Sequence, residues 1–122
     1  MNFEQTDEFK KELKAFSKKW RSLPDDLEKL MLVLPALYPE RRDAEFDNFR
    51  ESFFANKKAA VIKITLQDAE AVKIRLDCRS LGNKSILRVI YIRNRHTITF
   101  VELYSKNEKA REDSKRLQSY LE

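Results

Sequence analysis

Strict alternation over Val72–Arg79 is the feature that most restricts what this chain can become. Val72, Ile74, Leu76 and Cys78 take one side, and Lys73, Arg75, Asp77 and Arg79 take the other. Strand side chains alternate between faces, so this is the pattern of a half-buried β-strand. Leu81-Gly82-Asn83-Lys84 reads as a turn, because Gly and Asn tolerate positive φ. Ser85–Arg93, rich in β-branched and aromatic residues, reads as a second strand. Asn94-Arg95 is a tight polar break, and His96–Tyr104 reads as a third strand. Turns this short join antiparallel neighbours, since parallel ones need long crossovers. Parity sets Ile90, Ile92, Ile98 and Phe100 on one face and Val89, Tyr91, Val101 and Leu103 on the other. Both faces therefore need cover. The polar side of the first strand brings Lys73, Arg75 and Arg79 near Arg88, which makes a cationic patch.

The cover comes from helices. Met1–Gln5 reads as an edge strand or a lead-in. Thr6 is a candidate N-cap, with Asp7 and Glu8 placed where a helix dipole favours negative charge. Phe9, Leu13, Phe16 and Trp20 make one apolar stripe, and Lys10, Lys11, Lys14, Lys18 and Lys19 take the other faces. Pro24 suits the first position of a second helix, with Asp25 and Asp26 in its first turn and Leu27, Leu30, Met31 and Leu34 as its stripe. Pro35 ends or kinks it. The short connection predicts an antiparallel helical hairpin. Further on, Arg41-Arg42-Asp43 reads as a charged turn. Phe46, Phe49, Phe53 and Phe54 have helical spacing, Asn56-Lys57-Lys58 interrupts that helix, and Ala60–Leu66 reads as a short strand. Asn107 is a candidate cap for a last helix bearing Ala110, Leu117, Tyr120 and Leu121. The expected architecture is one α+β domain over residues 1–122, with the hairpin on one face of a small antiparallel sheet and the last helix on part of the other, beside the basic cluster.

Charge narrows the partners. The net charge is +5 with a pI near 9.3, so an anionic partner fits. A single cysteine, on the apolar side of its strand, forms no internal disulfide and suits a buried position in a cytoplasmic protein. There is no signal-peptide pattern and no apolar run of the ~20 residues that a membrane span needs. His96 is the lone histidine and sits beside a turn; no Cys/His set for zinc, no phosphate-cradling glycine loop and no nucleophile elbow accompany it. Asp25-Asp26 reads as dipole charge rather than as a catalytic pair.

In this order, the lysine-rich hairpin, the Lys73-Ile-Arg-Leu strand, the Gly82 turn, the Leu87-Arg-Val-Ile-Tyr-Ile strand and the Glu102-Leu-Tyr-Ser-Lys end ahead of a basic helix resemble the RelE/ParE superfamily of toxins from bacterial toxin–antitoxin pairs. The resemblance covers Phe3 to Leu121, and its specific part is Val72–Lys106. It implies a toxin held by a cognate antitoxin. In the RelE branch, which the motifs favour, such a toxin cuts messenger RNA on the ribosome; in the ParE branch it inhibits DNA gyrase without catalysis. A non-toxic RNA- or protein-binding relative is the third possibility. Carried over by motif, Lys73 and Arg75 match the cationic strand positions, Arg88 the arginine opening the next strand, and Lys106 the basic residue ending the last. Two departures stand out. Asn107 replaces a second basic residue, and no tyrosine matches the one common in the terminal segment, since Tyr104 lies too early and Tyr120 too late.

The chemistry follows from RNA itself. Its 2′-hydroxyl is the nucleophile, so cleavage needs that group deprotonated, the phosphorane's charge stabilised and the 5′-oxygen protonated, with no cofactor or metal required. Arg88 would hold the scissile phosphate, Arg75 would support it, and Lys73, crowded by like charges, is the candidate base. Lys106 could serve as acid or bind a neighbouring phosphate. Arg79, Lys84, Arg93 and Lys109 are further RNA-binding candidates, and the lysines of the first helix could bind ribosomal RNA phosphates. The plainer reading of Lys73 and Arg75 is solvated charge that protects a sheet edge. Arg88 stands between apolar residues and wants an anion; Glu102 on the neighbouring strand is the internal candidate.

Overall fold

The computed structural model describes residues 1–39, 44–55, 59–82 and 86–121. In chain order these form β1 (Asn2–Gln5), α1 (Asp7–Lys19), α2 (Leu23–Val33), a 3-10 turn (Leu34–Leu37), α3 (Ala44–Ala55), β2 (Ala59–Ile64), β3 (Glu70–Leu76), a second 3-10 turn (Arg79–Leu81), β4 (Leu87–Asn94), β5 (Thr97–Ser105) and α4 (Ser114–Leu121). The chain is α+β. Its five strands lie in the order β1-β5-β4-β3-β2. The last four in sequence pair antiparallel, but β1 runs parallel to β5, so the sheet is mixed. The Arg41-Arg42-Asp43 turn, the Asn56-Lys57-Lys58 break and Lys84 lie outside the described residues.

Local chemistry explains most of these boundaries. The Thr6 hydroxyl accepts from the Phe9 amide at 3.2 Å and starts α1. Pro24 sits in the first turn of α2, where a missing N–H leaves no helix bond unmade. Arg95 at φ 56° makes the tight β4–β5 turn. Each Phe or Leu that the stripes bury contributes about 1.5–3 kcal/mol. Phe9, Leu23, Leu27 and Leu34 are buried against Val72, Ile74, Leu76, Val89 and Tyr91, with Phe53 and Phe54 of α3 beside them. This is the inner face of the sheet. On the opposite face Leu117 and Leu121 of α4 pack on Ala71, Ile90, Ile92 and Val101. Cys78 is buried as expected, its Sγ 3.4 Å from the Ser22 hydroxyl.

Two expectations need correction. First, β5 does not keep its parity. The register with β4 shifts between Ile90 and Tyr91, so that Tyr91 opposes Phe100 while Ile90 opposes Glu102. Val101 is the extra residue of a β-bulge. Ile98 and Phe100 therefore join Val89 and Tyr91 on the inner face, and Val101 joins Ile90 and Ile92 on the other. The freed backbone groups are taken by side chains. The Val101 carbonyl accepts from Thr6 Oγ1 at 3.3 Å and from Arg116, and the Leu103 amide donates to Glu12 at 3.1 Å. Second, α4 starts at Ser114, not at Asn107. Asp113 caps it by accepting from the Arg116 amide at 3.0 Å. Residues 106–113 instead cross the sheet without forming a helix.

Candidate nucleic-acid interface

Three strands bring the site together. In the β3–β4 register Arg75 stands directly opposite Arg88, and in the β4–β5 register Arg88 stands directly opposite Tyr104. The next row along is Lys73, Ile90 and Glu102. Neighbouring strands are ~4.8 Å apart and successive same-face rows ~6.6 Å apart, so these side chains share one compact patch. The bulge decides its composition. Counted in strict alternation from Ile98 and Phe100, Glu102 and Tyr104 would turn inward; the extra residue at Val101 turns both onto the basic face.

Like charges directly opposite on a sheet are destabilising, so Arg75 and Arg88 are there at the expense of the fold. Burial first, and then the Arg75 charge, lower the Arg88 guanidinium's affinity for its proton, while Tyr104 works in the other direction. One Arg88 nitrogen donates to the Leu87 carbonyl at 3.0 Å. Tyr104 is only 2% exposed, and its hydroxyl has no hydrogen-bond partner among the described residues. Burial, followed by the Glu112 and Glu102 carboxylates, pushes that hydroxyl up to about 12, with Arg88 opposing. At neutral pH it is a proton donor.

The acidic groups are engaged elsewhere. Glu102, the internal partner expected for Arg88, instead takes the Lys109 ammonium and the Asp113 amide, the latter at 2.8 Å. Glu112 pairs with Lys73 at 3.1 Å. Burial alone would raise the Glu112 carboxyl, but its own backbone amide, Lys73 and Arg111 hold it below the usual carboxylate value.

Among the sequence-predicted residues, Lys73, Arg75 and Arg88 share the face. Lys106 lies exposed just past the end of β5, its amide donating to the Ile86 carbonyl at 2.8 Å. Lys109 reaches the face from the crossing segment, with Nζ 5.4 Å from the centre of the Tyr104 ring. Two candidates leave the set. Arg79 sits on the turn beyond β3 and pairs with Asp25 at 3.6 Å and Asp26 at 3.5 Å, because its strand ends at Leu76. Asp26 is itself buried. Burial would raise its carboxyl, yet hydrogen bonds from Ser22, Cys78 and the Arg79 amide, with the Arg79 charge, hold it low. Arg93 has the parity of Tyr91, not of Arg88, and lies on the inner side, 5.1 Å from the centre of the Tyr38 ring. The residues that sequence reasoning missed are Tyr104 and Glu112. Tyr104 was legible in the Glu102-Leu-Tyr-Ser-Lys motif and in its parity with Glu102, and Glu112 carried no signal at all.

A groove of about 330 Å³ opens between α2, α3 and β3 and reaches Arg75. Leu30, Val33, Phe53 and Ile74 line it together with Asp26, Lys29 and Asp77, so its walls mix apolar groups with charges of both signs. Among the described residues no three His, Cys, Asp or Glu side chains gather as metal ligands, and no helix is long and apolar enough to cross a membrane. Set against known proteins, the chain matches no family model, no curated protein and no solved structure.

Proposed function

We propose that this chain is a toxin of the RelE type: a cytoplasmic, metal-independent endoribonuclease that cuts messenger RNA on the ribosome and is held in check by a cognate antitoxin. The observation that carries the reading is the row Arg75–Arg88–Tyr104, two opposed arginines ending on a buried, unpartnered hydroxyl. A core gains nothing from that arrangement, whereas a phosphodiester gains from every part of it. The Arg88 fork pairs with non-bridging phosphate oxygens, and Arg75 adds charge as the phosphorane forms. Tyr104, protonated at neutral pH, donates to the phosphorane or to the departing 5′-oxygen. Lys73, ion-paired in the structure, fits as a second phosphate-holding cation, and the 2′-hydroxyl proton passes to solvent water as that oxygen attacks the phosphorus. Lys106 and Lys109 extend positive charge toward flanking phosphates.

Induced expression without antitoxin, followed by mapping of messenger ends on ribosomes, tests the reading. Cuts inside translated codons that vanish with Arg88→Ala are the expected result. Cuts that persist in that variant would remove the residue assignment. Growth arrest with intact messenger and impaired DNA supercoiling would select a gyrase-type inhibitor instead.

A further inference from the structure

The segment that joins β5 to α4 is pinned across the basic face at three points. Lys109 Nζ pairs with the Glu102 carboxylate, the Asp113 amide donates to that same carboxylate at 2.8 Å, and the Glu112 carboxylate holds the Lys73 ammonium at 3.1 Å. Glu102 is 1% exposed, so two of the pins hang from one buried anion in the sheet. Beneath this strap the Tyr104 hydroxyl is shut off from solvent and has no partner among the described residues. A buried polar group without a partner is destabilising by about 1–3 kcal/mol, and a site awaiting a ligand is one place where that persists. Its first half is also held by its backbone amides. The Lys106 amide donates to the Ile86 carbonyl at 2.8 Å, the Asn107 amide to the Ser105 hydroxyl at 3.2 Å, and the Glu108 and Lys109 amides to the Ser105 carbonyl at 3.0 and 3.1 Å, whereas Ala110 to Asp113 rest on the pins. Lys106 through Arg111 are all exposed, and the pins are polar contacts that water can replace. The helix that follows is anchored independently by Leu117 in the apolar layer and by the two-pronged Arg116–Glu12 pair at 2.8 and 2.9 Å.

We propose that residues 106–113 are an internal stand-in for RNA. The Glu112 carboxylate occupies a phosphate position on Lys73, and RNA takes the face by lifting the strap and presenting a phosphate oxygen to the Tyr104 hydroxyl. This rests on the nuclease reading of the face. Carboxylate and phosphate compete for the same ammonium because both are anionic oxygen acceptors. Affinity measured on the closed protein is then reduced by the fraction of molecules that are open.

The test is binding of a 2′-O-methyl RNA oligonucleotide, which cannot be cleaved, to the full chain at fixed salt. It is run alongside hydrogen exchange of the strap amides. Glu112→Gln keeps the side-chain shape, releases Lys73 and is expected to bind about 10-fold tighter. Glu108→Gln removes the same charge from an exposed position in the same segment and is expected to change affinity by less than about 2-fold. Adding the oligonucleotide to the unmodified protein should speed exchange at the Asp113 amide, which donates to Glu102. Equal gains from the two substitutions, or unchanged or slower exchange at that amide, would overturn the strap. Arg88→Ala keeps the two ideas apart. If it binds as well as the unmodified chain, the basic face is not the RNA site and the nuclease reading falls. If it loses binding while Glu112→Gln shows no gain, only the strap falls.

Discussion

Tyr91 and Tyr104 lie on neighbouring strands, are both almost fully buried, and have opposite surroundings. On the inner face the Tyr91 hydroxyl lies 2.9 Å from that of Tyr38, which donates to Glu70 at 2.8 Å, and Arg50 closes the chain on Glu70 at 2.7 Å. Burial, foremost, raises both of these hydroxyls well above the ordinary tyrosine value, with the Glu70 charge adding to it. Every side-chain polar group in that chain has a partner. On the basic face the Tyr104 hydroxyl has none among the described residues, and Arg75 and Arg88 stand directly opposite each other. The Tyr91 network is finished as structure, although Arg93 Nε on the same side is buried without a partner among the described residues. The other face sets two arginines directly opposite each other beside a buried hydroxyl that has no partner among the described residues, as a binding surface would.

The contrast can be tested by substitution. Arg88→Ala is expected to lower messenger cleavage about 10²–10³-fold, the usual effect of removing one preorganised charge-stabilising donor. Its urea midpoint should hold or rise, because the opposed Arg75 loses a like charge. A midpoint that collapses with activity would make Arg88 a structural residue. Glu70→Ala should do the reverse. It strands Arg50 and Tyr38, and unfolding free energy should fall by about 2–3 kcal/mol, below the range for fully buried pairs because Arg50 is partly exposed. The same substitution at the two tyrosines comes next. Tyr91→Phe should lower stability by about 1 kcal/mol, while Tyr104→Phe should leave it unchanged or slightly higher and still impair cleavage. Equal losses in both would mean that Tyr104 has a partner after all.

The smallest expected effect is in alkali. The Tyr104 hydroxyl stands near 10 in the unfolded chain and about 12 in the fold. Its raised value favours the fold fully below pH 10, and the contribution is lost as pH rises toward 12, where the unfolded chain alone has released the proton. Stability measured between pH 10 and 12 should therefore fall less steeply in Tyr104→Phe than in the unmodified protein. An identical slope would remove burial of that hydroxyl from the description of the site.

Strand identity, the helix starts at Thr6 and Pro24, the aromatic stripe of α1 and the α+β class are written in local pattern, because propensity, capping and periodicity act over a few residues. So is the placing of Lys73, Arg75 and Arg88 on one side, since β3 and β4 keep their alternation. Local pattern failed where a distant contact decides. The bulge at Val101 is held by Thr6, 95 positions away, and by Glu12 and Arg116. One extra residue inverts the parity between the two halves of β5, so a count along the strand keeps Glu102 and Tyr104 on the Arg88 side but puts Ile98 and Phe100 on the wrong face. The cap at Asp113 and the crossing of residues 106–113 depend in the same way on the buried Glu102 and on Lys73, two strands apart. The sequence by itself determined which elements form and which face carries the arginines. Only the tertiary structure decided what stands next to them, because a bulge and a strap are fixed by long-range hydrogen bonds and ion pairs that leave no periodic mark on the chain.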